Sequence, residues 1–128
     1  MRSFKSLIVL FALLITTPSH AELLGEEWIA EAEMKKQSAF ARENNLLLNS
    51  LRCKFDETVA NPGRGDVLFR ADFEIPPTPQ AWGWTFEANA PLKGPEQQAK
   101  AAGFEVASEE YFELTGVTWV RCKVWHRP

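Results

Sequence analysis

Sulfur and imidazole are scarce in this chain. Its 128 residues hold two cysteines, Cys53 and Cys122, and two histidines, His20 and His126. No Cys-x-x-Cys or His-x-x-x-His pair occurs, so the clustered ligands of a zinc site are missing and no metal or other cofactor is expected. A serine or cysteine nucleophile needs a base held beside it, and His126 stands two residues from the end of the chain. The seven glycines form neither a P-loop nor a dinucleotide-binding turn. The longest apolar run falls well short of the roughly 20 residues that span a bilayer as a helix. Basic excess is missing too: 14 Lys and Arg stand against 17 Asp and Glu. That balance argues against nucleic acid or an anionic membrane surface as the main partner.

What the chain does have begins at its first residues. Arg2 and Lys5 give a positive start, Leu7 to Ile15 is an unbroken apolar run, and Ser19-His20-Ala21 offers small residues where a signal peptidase cuts. Residues 1–21 therefore read as a cleaved secretory leader. The mature chain is then 22–128, or 128 minus 21, which is 107 residues: one domain with its own core. Two basic residues leave with the leader and all the acidic ones stay, so the mature net charge becomes 12 minus 17, or -5. His20 leaves as well. No cysteine follows the apolar run for acylation, so release without a membrane anchor is expected, into a bacterial periplasm or the medium. In such an oxidising compartment Cys53 and Cys122 are expected to form a disulfide. Closing so long a loop restricts the unfolded chain by on the order of 4 kcal/mol.

Periodicity supplies the elements. Glu26 to about Asn45 holds no Gly or Pro, is rich in Ala, Glu, Lys and Gln, and starts with acidic residues, which predicts a long N-terminal helix with Trp28, Ile29, Ala32, Ala39 and Phe40 on one side. From Leu47 the period changes to two. Leu51, Cys53 and Phe55, then Val67, Phe69, Ala71 and Phe73, mark two antiparallel strands joined through Asn61-Pro62-Gly63-Arg64-Gly65. A third strand, Ala81 to Ala88, carries Trp82, Trp84 and Phe86 on one face. A short helix over Pro95 to Ala102 ends at Gly103, where a left-handed cap is expected. A fourth strand starts at Phe104 to Val106 and resumes at Tyr111 to Leu114; a fifth runs from Val117 to Arg127. The expected fold is α+β: about five antiparallel strands in one sheet, order 3-2-1-5-4, with both helices on one face.

Strand parity then yields a candidate site. If Cys53 and Cys122 meet from neighbouring strands, Arg52, Lys54, Arg121 and Lys123 all project from the opposite face, joined by Trp119, Trp125 and Arg127. Cations interleaved with tryptophans suit an anionic or sugar-like ligand or an acidic protein. The alternative is that the first helix covers the rings and its glutamates pair with the basic residues. Trp82 and Trp84, with Gly83 leaving the reverse side open, form a second candidate, either a stacking platform or core. Arg64-Gly65-Asp66 spells an adhesion tripeptide but also supplies what a turn requires. Glu105, Glu109, Glu110 and Glu113 are the densest source of an acid pair for glycan hydrolysis, and equally a solvated acidic face.

The expected function is an exported, non-enzymatic binding module for a protein or glycan-like envelope ligand, of inhibitor or immunity type. A small cell-wall hydrolase using acidic residues is the first alternative, a structural envelope component the second.

Overall fold

The computed structural model describes residues 27–128. The leader expected over 1–21 lies outside the described residues. The domain is α+β, but its strands form two three-stranded antiparallel sheets rather than one sheet of five.

The chain enters through a two-residue strand, β1 (Ile29–Ala30), and only then turns into α1 (Glu31–Glu43). The helix expected from Glu26 is thus shorter, because Ile29 and Ala30 are used to pair with Phe69 and Leu68. Helix α1 buries Met34, Ser38 and Ala41, spaced four and three residues apart, and keeps Glu31 and Glu33 in its first turn and Arg42 in its last. Asn45 takes a left-handed φ of 57° just past the helix. Leu46 N–H then reaches Ala41 O at 2.8 Å and Asn45 N–H reaches Arg42 O at 3.3 Å, which satisfies carbonyls the helix end would orphan.

Next come β2 (Leu47–Phe55) and β3 (Val67–Glu74), antiparallel as expected. Their register slips between Leu48 and Ser50, so that Leu48, Leu51, Cys53 and Phe55 share the buried face despite the odd step. The first sheet has the order β1-β3-β2. The second is built from β4 (Ala81–Ala88), β5 (Glu105–Thr115) and β6 (Thr118–Arg127), in the order β4-β6-β5. Strand β5 is continuous; register shifts at Val106/Ser108 and Glu113/Thr115 break the period that sequence reading relies on, so it reads as two pieces.

The disulfide spans the two sheets. Cys53 and Cys122 are bonded as expected, with their Cα atoms 6.2 Å apart, but they belong to different sheets, and the bond joins the two inner faces. Around it pack Leu51, Phe55, Phe69, Phe86, Val120 and Val124. Phe69 sets its ring edge-on to Trp84 at 5.2 Å and to Phe86 at 4.9 Å, locking one sheet against the other. His126 adds a polar tie: its Nε2–H donates to Leu48 O at 2.7 Å. Helix α1 packs on β2 and β3 and reaches across to the second sheet, where Ser38 Oγ accepts from Trp84 Nε1 at 2.9 Å.

The second helix, α2 (Lys93–Ala101), lies elsewhere, on the outer face of the second sheet. The two helices therefore do not share one face. Gly103 caps α2 with φ 88°, and Phe104 N–H bonds Ala99 O at 3.0 Å, as its place after the helix predicts. Among the described residues, no helix is long and apolar enough to cross a membrane.

Candidate functional site

Parity holds and the sheet assignment does not, so the expected cationic face is divided into three parts. Arg52 and Lys54 do point away from Cys53, on the outer side of β2, where Trp28 lies over them: its ring is 4.5 Å from Lys54 Nζ and 5.5 Å from Arg52 Cζ. Arg52 also stands 3.9 Å from Glu110 Oε2. These two cations belong to the first sheet, whereas the basic residues of β6 belong to the second.

On β6, Trp119, Arg121, Lys123, Trp125 and Arg127 alternate with the buried Val120, Cys122 and Val124, as the sequence implies. Helix α2 covers the C-terminal half. Trp125 is only 2% exposed, and its Nε1–H donates to Thr85 Oγ1 at 2.9 Å. Lys123 Nζ meets Glu96 Oε2 of α2 at 2.9 Å, with both side chains largely covered. Arg127 stacks on Phe104 with Cζ 5.0 Å from the ring centre. The charges here come from α2, not from the α1 glutamates, as partners of the basic rungs.

The N-terminal half of β6 stays open. Arg121 pairs across the sheet with Tyr111 on β5 and with Glu87 on β4. Its guanidinium lies 5.0 Å from the Tyr111 ring and 5.6 Å from the Trp119 ring, and those rings are 6.0 Å apart. Two carboxylates hold it: Glu109 Oε2 is 3.1 Å from Nε, outside hydrogen-bond geometry, and Glu87 Oε1 is 3.7 Å from Nη1. Glu87 is 7% exposed and spends its other oxygen on Leu92 N–H at 2.9 Å. Arg121 is thus the counter-charge of a buried carboxylate as well as one corner of a half-exposed cluster with Tyr111 and Trp119. Tyr111 is 47% exposed; its hydroxyl donates to Glu113 Oε1 at 2.7 Å, and this bond to the carboxylate holds the phenol above its ordinary pKa. At the hairpin tip Leu114 is exposed and Val117 is 78% exposed, while Thr115 Oγ1 accepts from the N–H groups of Val117 and Thr118 and fixes the turn.

The remaining candidates are placed more simply. Trp82 and Trp84 share the inner face: Trp82 is 6% exposed and bonds Leu46 O through Nε1 at 2.8 Å, and Trp84 is half-buried against Ser38 and Phe69. They belong to the core, not to an open platform. Gly83 does leave the reverse side open, since a Cβ there would meet nothing within 4 Å, and a cavity of about 350 Å³ lies between it, Trp125 and α2. Arg64-Gly65-Asp66 forms a short 3-10 turn in which Asp66 accepts from Gly63 N–H at 2.9 Å and Arg64 reaches Phe86 O at 3.1 Å, so both charged ends serve the fold. The glutamates of β5 are turned to both faces: Glu109 and Glu113 outward, Glu105 and Glu110 inward.

Comparison with family models, curated proteins and solved structures returned no match. Trp119 and Arg121 are readable from parity in β6, whereas the part played by Tyr111 and the apolar tip is not. Tyr111 reaches Arg121 only because the shift at Val106/Ser108 sets the β5 register, and nothing in the alternation announces that shift.

Proposed function

We propose that this protein is an exported, non-enzymatic binding module that grips a protein partner through the tip and outer face of its β5–β6 hairpin, in the manner of an inhibitor or immunity-type partner. The observation that carries this reading is the cluster in which Arg121 lies beside the rings of Tyr111 and Trp119, on the same hairpin as the exposed Leu114 and Val117. Tryptophan, tyrosine and arginine are the residue types that most often dominate binding energy at protein interfaces. Here their ordering cost is already met, because strand pairing and two carboxylates fix Arg121 before any partner arrives. An apolar pair at a rigid hairpin tip gains from being covered. Export is supported by the Cys53–Cys122 disulfide, a bond that persists in oxidising compartments.

The test is affinity capture. The mature domain, tagged, is incubated with envelope extract of its host beside the variants Leu114→Asp and Val117→Asp, whose side chains are exposed in the fold. A discrete partner retained by the native domain and lost by both variants at unchanged melting temperature is the expected result. No partner, together with turnover of peptidoglycan fragments by the domain, would sink the reading in favour of a hydrolase.

A further inference from the structure

Strand β4 is an edge strand, and two arginines attend its free side. Trp82 O accepts from Arg42 Nη2 at 3.3 Å, and Phe86 O accepts from Arg64 Nη1 at 3.1 Å. In an antiparallel strand, residues two apart direct their peptide groups to the same side. The N–H and C=O of Trp84, midway between the two, therefore face the same edge. Each guanidinium also lies on an aromatic ring of this strand: Arg42 Cζ is 4.2 Å from the Trp82 ring centre and Arg64 Cζ is 3.8 Å from that of Phe86.

Charge is what makes this edge unusual. Among the described residues no carboxylate comes within ion-pair distance of Arg42 or Arg64, and the three acids lining the cavity beside Arg64 are engaged elsewhere: Glu31 with Lys35, Glu87 with Arg121, Glu96 with Lys123. Burial pulls Arg42 below its ordinary pKa, and no counter-charge offsets the cost. A guanidinium carries five N–H donors, so each arginine keeps donors beyond the one given to the strand. A cavity of about 280 Å³ adjoins Arg42, Pro79, Gln80 and Trp82, and another of about 290 Å³ adjoins Arg64, Trp84, Phe86 and Lys35.

We propose that the β4 edge at Trp84 receives an extended acidic segment of a partner protein as an added strand, with its carboxylates seated on Arg42 and Arg64. The four-residue step from Trp82 to Phe86 spans roughly 13 Å at strand rise. Two carboxylates about four residues apart on the incoming strand match that distance. Backbone bonds to Trp84 give affinity and the two arginines give selectivity for acid, the division of labour of strand addition. The rival account is that the arginines guard an exposed edge against self-association.

The experiment titrates the mature domain with a blocked synthetic peptide of alternating glutamate and valine, and with its lysine and valine counterpart, following the Trp84 amide by NMR hydrogen exchange. The expected result is binding of the glutamate peptide only, protection of the Trp84 amide, and a roughly tenfold loss of affinity in each of Arg42→Gln and Arg64→Gln. Retention in Arg42→Lys and Arg64→Lys of the fold, with partial affinity, separates charge from folding. Val117→Asp leaves this binding intact, so failure here and failure of the hairpin reading are distinguishable. The proposal is overturned if the glutamate peptide does not bind, if it binds without protecting Trp84, or if neither arginine matters. Self-association of the glutamine variants, with no peptide binding by the native domain, also overturns it and assigns the arginines to edge protection alone.

Discussion

Arg121 shows how one side chain can be both scaffold and binding surface. Its guanidinium neutralises Glu87, which is buried and cannot be left alone without the desolvation cost of an unpaired carboxylate. Because Arg121 is itself about one-third exposed, Arg121→Ala is expected to cost about 1–3 kcal/mol, and Glu87→Gln in the same chain to recover part of that. Urea unfolding of the two single variants and the double variant measures the coupling, and strictly additive losses would contradict it. A second residue-scale expectation concerns Asp56, whose carboxylate accepts from Thr58 Oγ1 at 2.6 Å and Thr58 N–H at 3.0 Å. Those bonds, the hydroxyl first, hold its pKa below the ordinary 3.8. A depressed folded value means the stabilisation is present above the unfolded pKa and is lost as pH falls through the folded one. In Thr58→Val the carboxyl midpoint, followed by NMR titration, should rise toward the ordinary value; an unchanged midpoint would assign the shift to some other group.

At the scale of elements, strands were legible and their grouping was not. Alternation from Leu51 to Phe55 and from Val67 to Phe73 reports which residues face the core, and the observed β2 and β3 follow it. It does not report which sheet a strand joins. A Cα separation of 6.2 Å at the disulfide suits neighbours within a sheet or partners across two, so the cysteines fixed parity and left the sheet count open. The start of α1 was hidden for a different reason. Ala30 sits at the N-cap without a side-chain oxygen, so no capping signature marks where the helix begins, and Trp28 and Ile29 fit a helical stripe as well as a strand. Helix α2 was easier to end, because Gly103 is the residue its left-handed cap demands. Gly103→Ala should destabilise by about 1 kcal/mol through that positive φ, lowering the melting temperature by a few degrees. The Arg127 side chain, 3.6 Å from the added Cβ, is at ordinary contact distance and would not have to move, so the cost is the backbone's alone. A neutral or stabilising effect in thermal melts would mean the cap relaxes without strain.

For the whole molecule, the disulfide and the aromatic contacts join two small sheets that each bury one face. Reduction removes a covalent tie across a separation of 69 residues, worth about 4 kcal/mol by loop-closure entropy. Melting with and without a reductant able to reach the buried pair should differ by roughly 15–30 °C, and equal curves would deny the bond a structural role. A stapled domain of this kind holds its β5–β6 hairpin rigid, and the reading of function depends on that hairpin meeting a protein. Photo-crosslinking in the native host tests it most directly. A photoreactive residue replaces Val117 at the tip in one strain and Ile75, which is 83% exposed and stands apart from the aromatic patch, in another. A discrete higher-mass adduct is expected from position 117 and none from position 75; equal adducts from both, or none from 117, would rule out the hairpin tip as the partner-binding surface.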